Sequence, residues 1–310
     1  MSLLIALALS AAPPARIQPQ APASPSDAIV VEGHIVKDQA ADYVDKVLPT
    51  SFAGQFGRFE DPICPKTIGL AEPLSREVIE RMQLVSRTVG IRVDEPGCTA
   101  NLVLIVAPDK KAMIQTLRKS RPSYVNGLSA AELDRQANSP RPFAAWQMVE
   151  VFAADGMHIG SGDNMPTGSN GARDPKTGAI WTEGDFPRTK TTVTPSRLRA
   201  NTKPHVLVSL VIVENGALRG ATARQLADFA FVRGVTPIVN GRSDPPSSSI
   251  LGLFNDGVTP ESGPQSLTWW DVAFLKSLVD TRSDALAHVQ RNEIRNQMIK
   301  EVEKAPVAER

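Results

Sequence analysis

Residues 100–107 read ANLVLIVA, and residues 206–213 read VLVSLVIV. Neither run alternates apolar with polar residues. Each therefore predicts a strand buried on both faces, the kind found inside a sheet covered by helices. Working outward from the first run, Leu74 to Val89 places Val78, Met82, Val85 and Val89 at helical spacing, and Ile63 to Leu70 predicts a short strand ahead of it. Downstream, Lys111 to Lys119 predicts a helix. Ser129, with Glu132 three positions later, makes a capping box that opens another. Phe143 to Ala153 (FAAWQMVEVFA) predicts a third strand ahead of the 206–213 run.

Beyond that run, Glu214-Asn-Gly216 turns the chain, and Thr222 with Gln225 opens a helix through Leu226, Phe229, Ala230 and Arg233. Thr268 with Asp271 forms a third box, opening WWDVAFLKSLV, in which Val272, Leu275 and Val279 share one face and Phe274 and Leu278 an adjacent one. Strands alternating with helices predict a layered α/β domain over residues 61–282, a mixed sheet flanked by helices. Two loops interrupt it, residues 241–265 and the stretch 154–203, which holds seven glycines. A structureless segment as long as the second is unusual inside a domain. A polar helix from Ser283 to Glu303, striped by Ile294, Met298 and Val302, begins a C-terminal region of residues 283–310.

The amino-terminal end predicts an address. Leu3 to Ala12 (LLIALALSAA) is too short to span a bilayer and fits the apolar region of a secretory signal, with Ala21-Pro22-Ala23 offering a cleavage site. Residues 1–23 are thus read as a signal peptide and 24–60 as a flexible segment, in which Ala28–Gly33 is β-like and Ala40–Val47 amphipathic. The ordered core is expected to begin at Asp61. Export predicts a periplasmic or secreted protein with no transmembrane segment after processing.

Arg16 is the only charge in residues 1–23, so the other 33 basic residues meet 33 acidic ones. That balance provides no electrostatic footprint for nucleic acid. Residues 109–141 and 173–203 are locally basic, yet Tyr124, Trp181 and Phe186 are their only obvious stacking aromatics, so both are read as solvated surface. No partner is identified by the sequence. A dinucleotide cofactor is disfavoured, because no Gly-x-Gly-x-x-Gly follows a strand.

Cys64 and Cys98 are the only cysteines, and in an oxidising compartment two cysteines most simply pair. Such a bridge would contribute about 4 kcal/mol in the chain-entropy model. The histidines, His34, His158, His205 and His288, are never closer than 47 residues and show no metal-ligand spacing. Gly160-Ser161-Gly162 and Ser247-Ser248-Ser249 lack the strand–Ser–helix context of a nucleophile elbow and are read as turns. No metal or other cofactor is expected.

From Leu226 the chain reads LADFAFVRGVTPI, then SSILGLFNDG over 248–257, then SLTWWDVAFLKSLVD over 266–280. This succession resembles the end of a metzincin-type zinc-peptidase domain, where an active-site helix is followed by a loop, a tight turn beneath the metal and a closing helix of Leu-Thr-x-x-Asp character. It is similar to secreted bacterial families of unknown function that share the layout. CPKTIGL and PGCTANLVLIV upstream are compatible with the opening strand–helix–strand, so the resemblance covers residues 61–282. The zinc motif His-Glu-x-x-His is replaced by Gln225-Leu-Ala-Asp-Phe-Ala230, and Leu251 stands where the turn methionine is expected. Asp228, the only carboxylate in that helix, is read as solvent-facing, and Trp269 and Trp270 as helix packing with an indole N–H bonded at the rim. The sequence thus points to an exported, non-catalytic, peptidase-like binding or envelope-interaction protein. The alternative is a hydrolase with a non-standard site drawn from His158, His205 or Asp228.

Overall fold

The apolar run at 102–107 becomes an inner strand of a four-stranded sheet in the computed structural model, which describes residues 25–48, 54–125, 128–154, 199–237 and 245–304, with side chains from Val36 onward. The strands are β1 (Pro65–Ile68), β2 (Leu102–Ala107), β3 (Phe143–Ala153) and β4 (Thr202–Glu214), in the spatial order β1-β2-β4-β3. β1, β2 and β4 run parallel, and β3 closes one edge antiparallel to β4. Every residue of β2 is buried, as expected for a strand covered on both faces.

Helices α1 (Pro25–Val47), α2 (Glu72–Thr88), α3 (Lys110–Ser120), α4 (Ala130–Asn138), α5 (Ala223–Val235), α6 (Trp269–Asp280) and α7 (Ala287–Glu303) are joined among the described elements by three short 3-10 turns. The strand period of two sorts the sheet residues between two cores. Leu102, Leu104, Val106, Val211 and Val213 pack with α2, α5, α6 and α7, while Val103, Ile105, Trp146, Leu210 and Ile212 pack with α3 and α4. Trp146 is fully buried and satisfies its indole N–H on the Tyr124 carbonyl at 2.8 Å. The layered, mixed α/β architecture read from the sequence is present, and all three capping boxes form as spaced.

α5 crosses the sheet closely. A Cβ at Gly234 would lie 2.4 Å from Leu102 Cδ1 and 3.4 Å from Ser209 Oγ, so a side chain there would have to displace the end of Leu102. The Gln147 side chain then reaches the helix end, donating to the Gly234 and Thr236 carbonyls.

The amino-terminal expectation is corrected. The chain divides into a unit of residues 1–35 and a unit of residues 36–310. Residues 25–47 are helical, so Ala28–Gly33 is not a strand. Within the second unit, Val36, Ala40, Tyr43, Val44, Val47 and Leu48 are buried in the core that holds α5 and α6. Their spacing of three and four makes one apolar stripe, and that stripe starts the core at Val36 rather than Asp61. The boundary expected at residue 282 is not a packing boundary either. Ile294, Met298 and Val302 of α7 are buried in the same core, and the Ala287 N–H donates to the Gly54 carbonyl at 2.9 Å.

Cys64 and Cys98 form the expected disulfide, with Cα atoms 6.1 Å apart. It ties the start of the sheet to the turn before β2, beside Asn101, whose Oδ1 accepts from the Cys64 N–H at 2.7 Å. Because the bridge restricts the unfolded chain, reduction is expected to lower unfolding stability by about 2–4 kcal/mol. Urea unfolding with and without dithiothreitol measures this, and coincident midpoints would remove the crosslink from the stability of the fold.

Candidate functional site

α5 is where the peptidase resemblance would place catalytic chemistry. Every residue from Gln225 to Val235 except Arg233 is buried. Asp228 is fully buried, contrary to the solvent-facing expectation. Its two carboxylate oxygens accept from Arg81 Nε and Nη2 at 2.7 and 2.8 Å, and Oδ2 also accepts from the Leu267 N–H at 2.8 Å. The helix face opposite solvent is covered by α2, whose long arginine reaches in with its charge. Both oxygens are thereby committed to internal donors. The Gln225 amide is likewise committed, donating to the Pro260 and Pro264 carbonyls at 2.7 and 3.0 Å.

The turn that follows is fixed from within. Ser249 caps the 3-10 turn Ile250–Phe254, and its hydroxyl donates to Asp271 Oδ1 at 2.5 Å. The Tyr43 hydroxyl donates to the same oxygen at 2.6 Å. Asp271 Oδ2 accepts from the Ile250 N–H, the Thr268 N–H and the Thr268 hydroxyl, each at 2.9 Å. Burial pushes the Asp271 carboxyl above its ordinary range and the Tyr43 phenol well above its own, the latter helped by the Asp271 charge. Ser249, Asp271 and Tyr43 are buried, so this network joins α1, the turn and α6 and offers no group to a ligand. The tryptophans pack as read: Trp269 donates its indole N–H to the Glu301 carbonyl at 3.1 Å, and Trp270 stacks on Tyr43.

His158 and Gly160–Gly162 lie outside the described residues. His205 is half-buried, stacked on Phe152 with centroids 4.1 Å apart. Burial lowers its pKa, opposed by Glu60 and Asp61 and reinforced by Lys203 and Arg58. His205 sits on β4 bridged to Arg58, whereas Asp228 sits on α5 paired with Arg81. His288 is exposed on α7. Among the described residues, no group of three or more His, Cys, Asp and Glu side chains could hold a metal ion.

A cleft of about 240 Å³ opens instead where the carboxyl ends of α5 and α6 meet the chain around Arg58 and Gly90. Ile91, Val235, Leu275, Leu278 and Val279 give it an apolar floor, and Arg58, Glu60, Asp61 and Arg92 a charged rim. Arg58 braces that rim. Its Nε pairs with Glu60 at 3.0 Å, and its Nη1 donates to the Val279 carbonyl at 3.0 Å and to the Thr281 carbonyl, satisfying the open end of α6. The Arg92 guanidinium donates to the Glu60 carbonyl at 2.7 Å. The chain matches no family model, no curated protein and no solved structure. The cleft escaped the sequence reading because its walls come from four segments with no shared spacing. Only the apolar face of α6, Leu275 and Val279, hinted at it.

Proposed function

We propose that the protein is an exported, non-catalytic binding or envelope-interaction protein built on a peptidase-like layout. The observation that carries this reading is the commitment of α5. Asp228 and Gln225 are consumed by internal hydrogen bonds, while an apolar-floored cleft with a charged rim opens at the far end of the same helix. The contiguity of α5, the turn at Ile250–Phe254 and α6 supports the layout. Phe229 packs edge-on against Phe254 at 4.6 Å, and the Leu267 N–H ties the approach to α6 onto Asp228. The disulfide suits an oxidising compartment. Among the described residues, no helix is long and apolar enough to cross a membrane.

The floor and rim suit a short apolar group carried on a polar head, from a small ligand or a partner's side chain. The test pairs a fluorescent apolar anion, anilinonaphthalene sulfonate, with chelation. Saturable binding by the folded chain is expected, and Val279→Trp, which fills the cleft, should abolish it. EDTA should leave the melting temperature unchanged. A melting temperature that falls with EDTA and returns with zinc would overturn the non-catalytic reading, and probe binding unaffected by Val279→Trp would remove the cleft from it.

A further inference from the structure

The rim of the Arg58 cleft carries four charged side chains, and two of them answer each other. Arg58 Nε holds Glu60 Oε1 at 3.0 Å, and its Nη1 is drawn to the carbonyls that end α6. Arg92 and Asp61 are left. Both line the cleft and both are exposed. Among the described residues, the one hydrogen bond of the Arg92 head runs from Nη2 to the Glu60 carbonyl at 2.7 Å. That bond steadies the guanidinium and leaves the rest of its five N–H donors open. The Asp61 carboxylate accepts no hydrogen bond and joins no ion pair among the described residues. The peptide group whose carbonyl Arg92 holds is the one that leads into Asp61, so the two unused charges flank the same short stretch of rim.

This pattern selects the head group of a ligand. A simple anion would suit Arg92 but face Asp61, and a simple cation would suit Asp61 but face Arg92. A head that carries both signs satisfies both. Any pairing of the two exposed side chains with each other contributes little, so such a ligand gives up almost nothing by replacing it. The guanidinium fork matches a carboxylate, and a carboxylate accepts well from an ammonium. Size and polarity select the remainder. The cleft of about 240 Å³ is smaller than the roughly 300–1,000 Å³ of sites for drug-sized ligands, and its floor of Ile91, Leu275 and Val279 is apolar. A small zwitterion with an apolar side chain is an apolar α-amino acid. A peptide terminus, with one charge only, would leave either Arg92 or Asp61 unanswered.

We propose that the Arg58 cleft binds a free apolar α-amino acid, with its carboxylate on Arg92, its ammonium on Asp61 and its side chain on the floor of Ile91, Leu275 and Val279. The proposal rests on the reading of this cleft as a binding site and names its ligand class. Isothermal titration calorimetry of the full chain at neutral pH tests it, with leucine, methionine and phenylalanine as probes. Saturable binding of at least one is expected, and none of glycine, which has the head without the side chain. The tightest binder is then compared with its methyl ester, which lacks the carboxylate, and its N-acetyl form, which lacks the ammonium. Each should bind at least about tenfold more weakly, because a charged hydrogen bond is lost. Arg92→Gln and Asp61→Asn change exposed side chains, so both variants should fold, and each should weaken the parent amino acid by a similar factor. Anilinonaphthalene sulfonate is the control for the cleft itself. If the dye binds and no amino acid does, the amino-acid proposal falls and the cleft stands; if neither binds, both fall. Equal affinity for the amino acid and either derivative, or for the wild type and both variants, would also overturn the proposal.

Discussion

Asp271→Ala is expected to lower folding stability by about 5 kcal/mol, the largest effect of any single side-chain truncation considered for this chain. The carboxylate is fully buried and accepts from five donors, two on one oxygen and three on the other. On truncation the hydroxyls can re-pair, since Tyr43 already lies 3.3 Å from Ser249. The N–H groups of Ile250 and Thr268 cannot, and a buried donor left unmade costs about 1–3 kcal/mol each. Loss of the reciprocal cap at Thr268 adds about 1 kcal/mol. Tyr43→Phe removes one of the five bonds and should cost about 1 kcal/mol. Urea unfolding of both variants measures the contrast, and similar losses from the two would show that the junction is not organised around Asp271.

The same carboxyl carries a pH signature. Burial raises its pKa, against the pull of the hydrogen bonds from Ser249, Tyr43, Ile250 and Thr268. A folded value above the unfolded one means that the native state holds the proton more tightly. The stabilisation is then fully present below the unfolded pKa and is lost as pH rises through the folded one. The stability gap between wild type and Asp271→Asn should therefore narrow from acid toward neutral pH, with the other carboxylates cancelling in the difference. A gap that widened over that range would reverse the assignment.

The parts of this fold legible in the sequence are those decided locally. β2 and the buried half of β4, Ser209–Val213, are readable because a strand covered on both faces is apolar nearly throughout, whereas Leu207 in the same run is exposed; the helix starts are readable because a capping box is a three-residue spacing. The disulfide follows from having two cysteines and from the expectation of an oxidising compartment. α1 was not readable. Ala28-Ile-Val-Val-Glu-Gly33 has the β-branched content of a strand, and the stripe from Val36 to Leu48 looks marginal until its partners α5, α6 and α7 are present. Asp228 and Asp271 were misjudged or missed for a related reason. A carboxylate in a helix is ordinarily exposed, and what reverses that is a partner far away in sequence: Arg81 is 147 residues from Asp228, and Tyr43 is 228 from Asp271. The Arg58 cleft is assembled the same way, from segments that meet only in the folded chain.

Removing the charge that faces Asp228 is expected to cost about 3–5 kcal/mol, the usual effect of breaking a buried ion pair. The two halves of the pair are not equivalent. The Asp228 side chain has no exposure, whereas that of Arg81 keeps 25% of its surface in solvent. Arg81→Ala thus strands a carboxylate in the gap between α2 and α5, with only the Leu267 N–H to support it. Asp228→Ala leaves a guanidinium that can swing its head toward water, and should cost less, about 2–3 kcal/mol. The double variant Arg81→Leu/Asp228→Leu has no charge to strand and fills the gap with apolar atoms. It should recover most of the loss and give a coupling energy of at least about 2 kcal/mol in the cycle. Equilibrium unfolding of the three variants at neutral pH measures all three terms. If Asp228→Ala proved the more damaging single change, the carboxylate would be more than a counterion to Arg81, and its bond to Leu267, which sets the entry to α6, would be the contact to pursue.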